Sequence, residues 1–311
     1  SPVPAWVSPL SPSCHIPAMP PLPPGTVVLQ VLPRLDSGGV ERGTVEITQA
    51  ITLAGGTALV ASEGGRLVAA VERAGGRHTT LPLASKNPAV IWRNAARLAR
   101  LIRAEGVAIV HARSRAPAWS AWLAARRTGA RFVTTYHGVY SENLPLKRRY
   151  NAVMARGERV IAISRFISAR IEAQHGVGPD RVRVIPRGVD IEIFDPASVS
   201  GERMAALARA WRLPDGVPVI LLPGRLAGWK GQSVLIDAMA MLADLDFVGV
   251  LVGGGGARIT RRLLRQAAHQ EVSERLRLVG ATDDMPAALA YTSVLSALQT
   301  LEEKGYVRHE H

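Results

Sequence analysis

Two basic residues lie in a glycine-bearing segment, residues 224–231, whose sequence is GRLAGWKG. Arg225 and Lys230 stand five positions apart there, after an apolar run and before a helical pattern. A guanidinium and an ammonium group can together neutralise a diphosphate, and they can stabilise the negative charge that grows on a leaving nucleoside diphosphate. The alternative is a pair of solvated loop cations. The spacing and the position favour the diphosphate role.

Two glycine-rich segments could let a ligand approach the backbone closely. Gly38 and Gly39 follow the first apolar run, and residues 253–256, which are all glycine, follow a later one. A helix after either segment would present free N–H groups to an anion. The first segment does not match the GxGxxG pattern of dinucleotide-binding proteins. Each segment is therefore either a ligand-contacting turn or an ordinary strand-to-helix turn.

A histidine ends one of the apolar runs. His137 closes the sequence Thr135-Tyr136-His137, and its imidazole could donate a hydrogen bond to a sugar hydroxyl or to a phosphate. His111 ends another run in the same way and is a weaker candidate. The alternative is a histidine that only caps a strand, which is the commoner role for such a residue taken alone.

Strand–helix alternation must position these residues. Apolar runs predict buried parallel strands, and apolar residues at helical spacing predict the helices between them. In the first half, strands are predicted at 27–32, 58–61, 107–111, 132–136, 160–163 and 182–185, with helices at 40–54 and 88–105. In the second half, strands are predicted at 219–222, 247–252 and 276–278, with helices at 232–242 and 258–269. The pattern indicates an α/β protein with two Rossmann-like, doubly wound parallel sheets, which bind ligands at the carboxyl ends of their strands.

Breaks in this alternation predict the domain boundaries. Residues 1–25 are rich in Pro and Ser and are predicted to be a disordered leader, with Met19 as the true start. Residues 26–186 are predicted to form an N-terminal domain, and residues 187–215, which contain several Pro and Gly, a hinge or linker. Residues 216–290 are predicted to form a partial C-terminal domain, and residues 291–311 an atypical helical tail.

Composition limits the classes of function. The chain has 311 residues, of which 47% are hydrophobic, and a formal net charge of +13. Nothing in it resembles the roughly 20 uninterrupted apolar residues of a transmembrane helix, and a single cysteine excludes a disulfide framework. The positive charge indicates either a solvated basic surface or an anionic partner such as a nucleotide diphosphate, an acidic lipid surface or nucleic acid. The basic residues are spread along the chain, which disfavours nucleic acid.

Taken in order, these segments resemble glycosyltransferase family 4, whose fold is known as GT-B. The resemblance covers residues 26–289 and rests on SGGVERG (37–43), TYHG (135–138), AIS (162–164), IPRGVD (185–190), GRLAGWKG (224–231), VGGGG (252–256) and GATDDMP (280–286). It implies transfer of a sugar from a nucleotide-sugar to a saccharide or lipid-linked acceptor with retention, without a metal or another cofactor. It also makes the synthesis of cell-surface polysaccharide or lipopolysaccharide an expectation, at the cytoplasmic side of a membrane and with peripheral attachment.

The resemblance also implies roles for the two domains and for particular residues. Residues 26–186 would be the acceptor-side domain, and residues 216–290 would be the nucleotide-sugar-binding domain. The glycines of both turns would line the donor and its phosphates, at Gly38, Gly39, Gly253 and Gly254. His137 would lie near the transferred sugar. Arg225 and Lys230 would hold the diphosphate, so these two cations and His137 are the predicted catalytic residues. No nucleic acid partner is expected.

The sequence also departs from the family pattern. The family's sugar-nucleotide loop often carries an acid, whereas residues 253–256 are all glycine, and Arg187 stands where Asn is commoner. The family's two glutamates, eight positions apart, do not follow Pro286, and the last twenty residues weakly resemble a winged-helix repressor. The sequence alone therefore predicts a C-terminally truncated transferase with little turnover, its tail arising from a fusion or a frameshift. The alternatives are a non-catalytic nucleotide- or glycan-binding protein and, less favoured, a nucleic-acid-binding protein.

Overall fold

The computed structural model describes residues 20–36, 38–140 and 144–292. The chain divides into two compact units between Arg187 and Gly188. Each unit is a parallel sheet with helices between its strands, so the predicted α/β class with two parallel sheets is confirmed. Within the described ranges, no helix has the length and apolar character needed to cross a membrane.

The first unit is built on a seven-stranded sheet of order β3-β2-β1-β4-β5-β6-β7. Its strands are β1 (Val27–Val31), β2 (Thr57–Ser62), β3 (Arg77–Thr80), β4 (Ile109–Ala112), β5 (Arg131–Tyr136), β6 (Arg159–Ala162) and β7 (Val182–Val184). Its helices are α1 (Gly39–Leu53), α2 (Val68–Arg73), α3 (Pro88–Glu105), α4 (Arg115–Thr128), α5 (Pro145–Asn151) and α6 (Arg165–His175). Strand order reverses between β1 and β4, which is where ligands bind in open sheets of this type.

Local sequence signals explain the best-predicted helix. The α3 helix spans the predicted residues 88–105 because both of its ends carry strong signals. The Asn87 side chain accepts a hydrogen bond from the Ala89 amide, Pro88 stands in the first turn, and Gly106 takes the left-handed conformation after the last turn. The sequence analysis missed β3 because its residues, RHTT, contain no apolar run.

The second unit has a three-stranded parallel sheet of order β10-β9-β8. Its strands are β8 (Val219–Pro223), β9 (Val248–Val252) and β10 (Leu276–Gly280), and its helices are α7 (Gly201–Trp211), α8 (Gln232–Met241), α9 (Ala257–His269) and α10 (Met285–Tyr291). All five residues of β9, the middle strand, are buried. This unit therefore has its own core, which contains residues of α7, β8, β9 and α10.

The predicted linker at residues 187–215 was wrong in part. Helix α7 occupies residues 201–211, and its Leu207 and Trp211 are buried in the core of the second unit. The Ser200 hydroxyl caps its first turn. Gly188 and Pro196 precede α7, Gly201 is its first residue, and Pro214 follows it. The sequence analysis therefore mistook a segment that contains a helix for a linker. Arg187 belongs to the first unit.

The predicted disordered leader was also wrong at its C-terminal end. The Leu22 side chain packs beside Ile51, and its amide donates a hydrogen bond to the Ala54 carbonyl at 2.8 Å. Met19 and the remainder of the leader lie outside the described residues, as do Ser37 and residues 293–311 of the predicted tail.

Candidate functional site

In the first unit, the candidate residues gather at the carboxyl ends of three neighbouring strands. Gly38 and Gly39 follow β1, His111 and Arg113 lie at the end of β4, and His137 follows β5. This edge of the sheet contains the point where the strand order reverses. The fold thus brings together three of the predicted site residues, Gly38, Gly39 and His137.

Helix α1 begins in the glycine turn, and an arginine from far along the chain binds the backbone of that turn. Gly38 has φ 140, and a Cβ there would lie 2.6 Å from a carboxylate oxygen of Glu41. The Gly39 carbonyl accepts a hydrogen bond from the Arg187 guanidinium. The second Arg187 nitrogen lies 3.3 Å from the Glu46 carboxylate. Because Arg187 binds the backbone of the turn and a side chain of α1, it helps to fix the path of this loop.

A second arginine lies buried beneath the same turn. Arg113 is only 4% exposed, and its Nη1 donates to the Gln30 side-chain oxygen at 3.0 Å. Gln30 is oriented in turn by hydrogen bonds from its Nε2 to the Thr44 carbonyl and the Thr48 hydroxyl. Burial first, and then the positive charge of Arg187, lower the pKa of Arg113 to about 10. This pKa still leaves Arg113 charged at neutral pH.

The two arginines meet at a glycine of helix α1. A Cβ on Gly43 would lie 2.7 Å from a terminal nitrogen of Arg187 and 3.0 Å from one of Arg113. Only a residue without a side chain leaves room for both guanidinium groups beside the helix. Two positive charges, those of Arg113 and Arg187, are therefore held beside the first turns of α1.

Burial, together with these two charges, keeps the neighbouring histidines neutral. The pKa of His137 is lowered to about 3 by burial first, and then by Arg113 and Arg187. The pKa of His111 is lowered well below its usual value by burial, Arg113 and His137, and its Nε2 lies 2.7 Å from the Thr135 hydroxyl. Neither ring nitrogen of His137 has a hydrogen-bond partner among the described residues. His137 can therefore give or accept a hydrogen bond as a neutral imidazole, but it cannot bring a proton as an imidazolium at neutral pH.

In the second unit, the β8–α8 loop carries the two predicted diphosphate ligands. Arg225 and Lys230 are both exposed, and neither forms an ion pair within the part of the chain that the structure describes. Gln232, the first residue of α8, donates to the Arg225 carbonyl at 3.3 Å. Gly231, in the left-handed conformation with φ 79, leads directly into the helix. The loop thus places two unpaired cations next to a helix N-terminus.

The glycine run at residues 253–256 lies against this loop and has two kinds of glycine. A Cβ on Gly253 would overlap the Gly224 carbonyl oxygen, and a Cβ on Gly255 would lie 2.5 Å from the Leu226 side chain. Gly254 and Gly256 have open space around the Cβ position. Gly253 therefore serves close backbone packing, whereas Gly254 leaves its surface free for a ligand.

Sequence reasoning missed the polar network beneath the glycine turn. Gln30 is a polar residue in the middle of the apolar strand VVLQV, and Arg113 follows His111 by two positions at a strand end. Both were visible as exceptions to their patterns. Among the described residues, no group of three His, Cys, Asp or Glu side chains could bind a metal ion.

Parts of this chain match a protein-family model and known relatives. The model of Glycosyltransferase Family 4 matches residues 37–193. A D-inositol 3-phosphate glycosyltransferase of Xylanimonas cellulosilytica is 32% identical over 182 residues, which are 52% of this chain and 42% of that protein. The chain thus aligns with less than half the length of this relative.

Two solved structures are similar to most of this chain. A glycosyltransferase from Rickettsia africae is 37% identical with a TM-score of 0.75, over 86% of this chain and 71% of that chain. The Anabaena protein HepE, solved in complex with UDP-glucose, has a TM-score of 0.72 at 21% identity, over 86% of this chain and 72% of its own. At that identity, the likeness to HepE shows the fold alone.

Proposed function

Because this chain belongs to glycosyltransferase family 4, we propose that it transfers a sugar from a nucleotide-sugar donor to a saccharide or lipid-linked acceptor, with retention of anomeric configuration. The observation that carries this proposal is the β8–α8 loop of the second unit, where Arg225 and Lys230 are exposed and unpaired beside the start of a helix. HepE, which shares the fold, was solved with UDP-glucose, and this supports a nucleotide-sugar donor.

On the diphosphate side, the proposed chemistry is electrostatic. Arg225 and Lys230 would contact the diphosphate, and the free N–H groups of α8 would add their partial positive charge. Gly254, which has open space at its Cβ position, would let the nucleotide approach the backbone. As the glycosidic bond to the diphosphate breaks, negative charge grows on the leaving group, and these groups stabilise it. In this proposal the two cations stabilise the negative charge that a metal ion stabilises in other transferases.

On the sugar side, the proposed contact is His137. Its two ring nitrogens lack partners among the described residues, and it stands at the sheet edge where strand order reverses. As a neutral imidazole it would hydrogen-bond a hydroxyl of the transferred sugar without adding a positive charge beside a positively charged transition state. Arg113 and Arg187 act through it and through the glycine turn, so they are positioning residues.

We further propose that the protein works at the cytoplasmic face of a membrane in the synthesis of cell-surface polysaccharide or lipopolysaccharide. Helix α5 carries Lys147, Arg148 and Arg149, and Leu146 beside them is 80% exposed. A basic surface of this kind binds anionic lipid peripherally. Co-sedimentation at low salt should recover more protein with anionic vesicles than with neutral ones, and equal recovery would refute the attachment.

Nucleotide binding tests the main proposal directly. Calorimetric titration with UDP and GDP should show that Arg225→Ala and Lys230→Ala each weaken binding by roughly 1.5–3 kcal/mol, the contribution of a charge-assisted hydrogen bond. Arg209→Ala removes an exposed cation from α7 and is the matched control. Wild-type affinity in both loop variants would remove these residues from the donor site.

A second assay separates catalysis from binding. Incubation with a panel of nucleotide-sugars and a saccharide or lipid acceptor should release nucleoside diphosphate and form a glycosylated product. Tight UDP binding without any such release would instead favour a non-catalytic nucleotide-binding protein.

A further inference from the structure

The outward face of helices α3 and α4 in the first unit carries positive charge that nothing above uses. The two helices pack side by side, and the Ser120 hydroxyl of α4 donates to the Ile91 carbonyl of α3 at 3.1 Å. On one exposed face, at intervals of four and three residues, α3 presents Arg93, Arg97 and Arg100. Glu105 is the only acidic residue in the sequences of α3 and α4, and its carboxylate is already paired with Arg77. The face therefore carries charge of one sign.

Solvation of the helix alone does not require charges of one sign. Like charges three or four residues apart on a helix repel each other, whereas charges of opposite sign at that spacing would stabilise the helix. None of the three α3 arginines forms an ion pair within the described ranges. A negatively charged partner would replace this repulsion by attraction.

Tryptophan side chains accompany the arginines on this face. Trp92 is 59% exposed on α3, and the Arg127 guanidinium carbon lies 4.1 Å from the centre of its ring. On α4, the guanidinium carbons of Arg126 and Arg156 lie 5.1 Å and 4.2 Å from the centre of the Trp122 ring. Stacking on an aromatic ring orients a guanidinium group and leaves its N–H donors available for an anion.

The α3–α4 surface consists of Trp92, Arg93, Arg97, Arg100, Arg126 and Arg127. We propose that it lies on an anionic phospholipid bilayer, with the Trp92 ring at the level of the headgroups; this inference rests on the membrane location proposed above. Tryptophan favours that level because its ring has an apolar body and a polar N–H group. Arginine side chains can lay their apolar stems along the surface while their charged ends contact lipid phosphates.

This surface shares no residue with the basic cluster of α5, but it adjoins that helix. The Trp119 indole of α4 donates to the Tyr150 carbonyl of α5 at 3.1 Å. Contact through both surfaces would fix the orientation of the first unit, with α3, α4 and α5 turned toward the bilayer.

Nucleic acid is the other polyanion that arginine and tryptophan side chains could bind, and the structure favours it less. Proteins that bind single strands stack the bases on exposed aromatic rings. Trp119 and Trp122 are only partly exposed, they pack edge to face at 5.9 Å, and the Arg156 guanidinium lies over both rings. Only Trp92 is well exposed on this surface, and Arg127 lies over it. A bilayer contact needs no free ring face, so these packed rings do not oppose it.

Tryptophan fluorescence of the full chain tests the position of Trp92. The probe is a vesicle of phosphatidylcholine and phosphatidylglycerol in which part of the phosphatidylcholine carries bromine near the headgroup, because bromine quenches a tryptophan that it touches. The wild type should be quenched, and Trp92→Phe should lose most of that quenching. Trp229→Phe is the matched control, since it removes a 76% exposed tryptophan from the second unit, and it should be quenched like the wild type.

Charge replacement tests the arginines. At low salt, the triple variant Arg93→Gln/Arg97→Gln/Arg100→Gln should bind these anionic vesicles at least about tenfold more weakly than the wild type, because each basic residue near the surface adds to the attraction. Glutamine keeps a helix propensity close to that of arginine, so α3 should stay folded, which circular dichroism checks. The matched control is Arg258→Gln/Arg261→Gln/Arg265→Gln, which removes the same charge at three- and four-residue intervals from α9 of the second unit. It should retain most of the binding.

Several outcomes would overturn the proposal, and they differ from a failure of the functions proposed above. Equal quenching of the wild type and Trp92→Phe, or equal weakening by the α3 and α9 triple variants, would remove the α3–α4 surface from the bilayer contact. Vesicle binding that is lost only in Lys147→Gln/Arg148→Gln/Arg149→Gln would leave α5 as the sole attachment.

Two further results concern the partner itself. Binding of an oligothymidine strand that is lost in the α3 triple variant, without binding to anionic vesicles, would make nucleic acid the partner. Absence of vesicle binding by every folded form would refute both the α3–α4 surface and the α5 attachment. UDP titration is independent of these results, because the α3 triple variant should bind UDP with wild-type affinity; a chain that binds vesicles but not UDP would refute the transferase alone.

Discussion

Exchanging Gly253 for alanine is expected to destabilise the second unit strongly, whereas the same exchange at Gly254 is expected to be tolerated. Gly253 has φ 152, a conformation that costs other residues about 1–3 kcal/mol. The new Cβ would also overlap the Gly224 carbonyl oxygen, and overpacking of this kind costs about 1–3 kcal/mol more. The expected loss is therefore about 2–6 kcal/mol, a large share of the 5–15 kcal/mol that stabilises a typical domain.

The overlap lies between two backbone segments, so no side-chain rotation relieves it. The Gly224 amide donates to the Val252 carbonyl at 2.7 Å, and the Gly253 amide donates to the Gly280 carbonyl at 2.6 Å. Relief would require β8 and β10 to move away from β9, with the loss of these hydrogen bonds. At Gly254 the Cβ position is open, so alanine there should change stability by less than about 1 kcal/mol.

Urea unfolding, together with hydrogen exchange of the β8, β9 and β10 amides, measures both changes. We expect faster exchange of these amides in Gly253→Ala and wild-type protection in Gly254→Ala. If Gly254 borders the nucleotide as proposed, Gly254→Ala should weaken UDP binding while the fold stays intact. Equal stabilities for the two variants would show that the close approach of the two loops is not a constraint, and the reasoning would fail.

Two further changes test packing, one in each unit. Trp211→Ala should cost about 3–5 kcal/mol in urea unfolding, because Trp211 is 8% exposed in the core of the second unit; a loss under 1 kcal/mol would contradict its place there. Gly43→Ala should destabilise the wild type by displacing the Arg187 guanidinium, and it should destabilise an Arg187→Ala background less, because only the Arg113 nitrogen, 3.0 Å from the new Cβ, then remains in the way. Additive effects in this double-mutant cycle would refute the contact.

The elements were largely predictable from the sequence because they depend on local signals. The run VVLQV predicts a buried strand whatever its neighbours are, and the caps of α3 lie within a few residues of its ends. Where local signals were weak or misleading, prediction failed. The polar strand β3 has no apolar run, and α7 lies between prolines and glycines that look like a linker.

The candidate site was predictable only at its glycines, its histidine and its loop cations. The partners of these residues come from distant parts of the chain. Arg113 and its acceptor Gln30 are 83 positions apart, and Arg187 and Gly39 are 148 positions apart. No local pattern encodes such a pair, because the sheet order that brings them together is set by packing of the whole unit.

The neutral state of His137 gives the last prediction, on stability against pH. Its pKa is about 3 in the folded protein and about 6.5 in the unfolded chain, so between these values only the unfolded state binds the proton. Stability must then fall as the pH falls through this window, by up to about 1.4 kcal/mol per pH unit for one proton.

His137→Asn removes that titration, so its stability should fall less steeply than that of the wild type between about pH 6 and about pH 4. His111 keeps part of the slope, since its pKa is lowered as well. His269→Asn, at an exposed position on α9, is the matched control. Identical slopes for His137→Asn and the wild type would mean that burial, Arg113 and Arg187 do not lower the pKa of this histidine, and its proposed role as an uncharged hydrogen-bonding group would fall with that result.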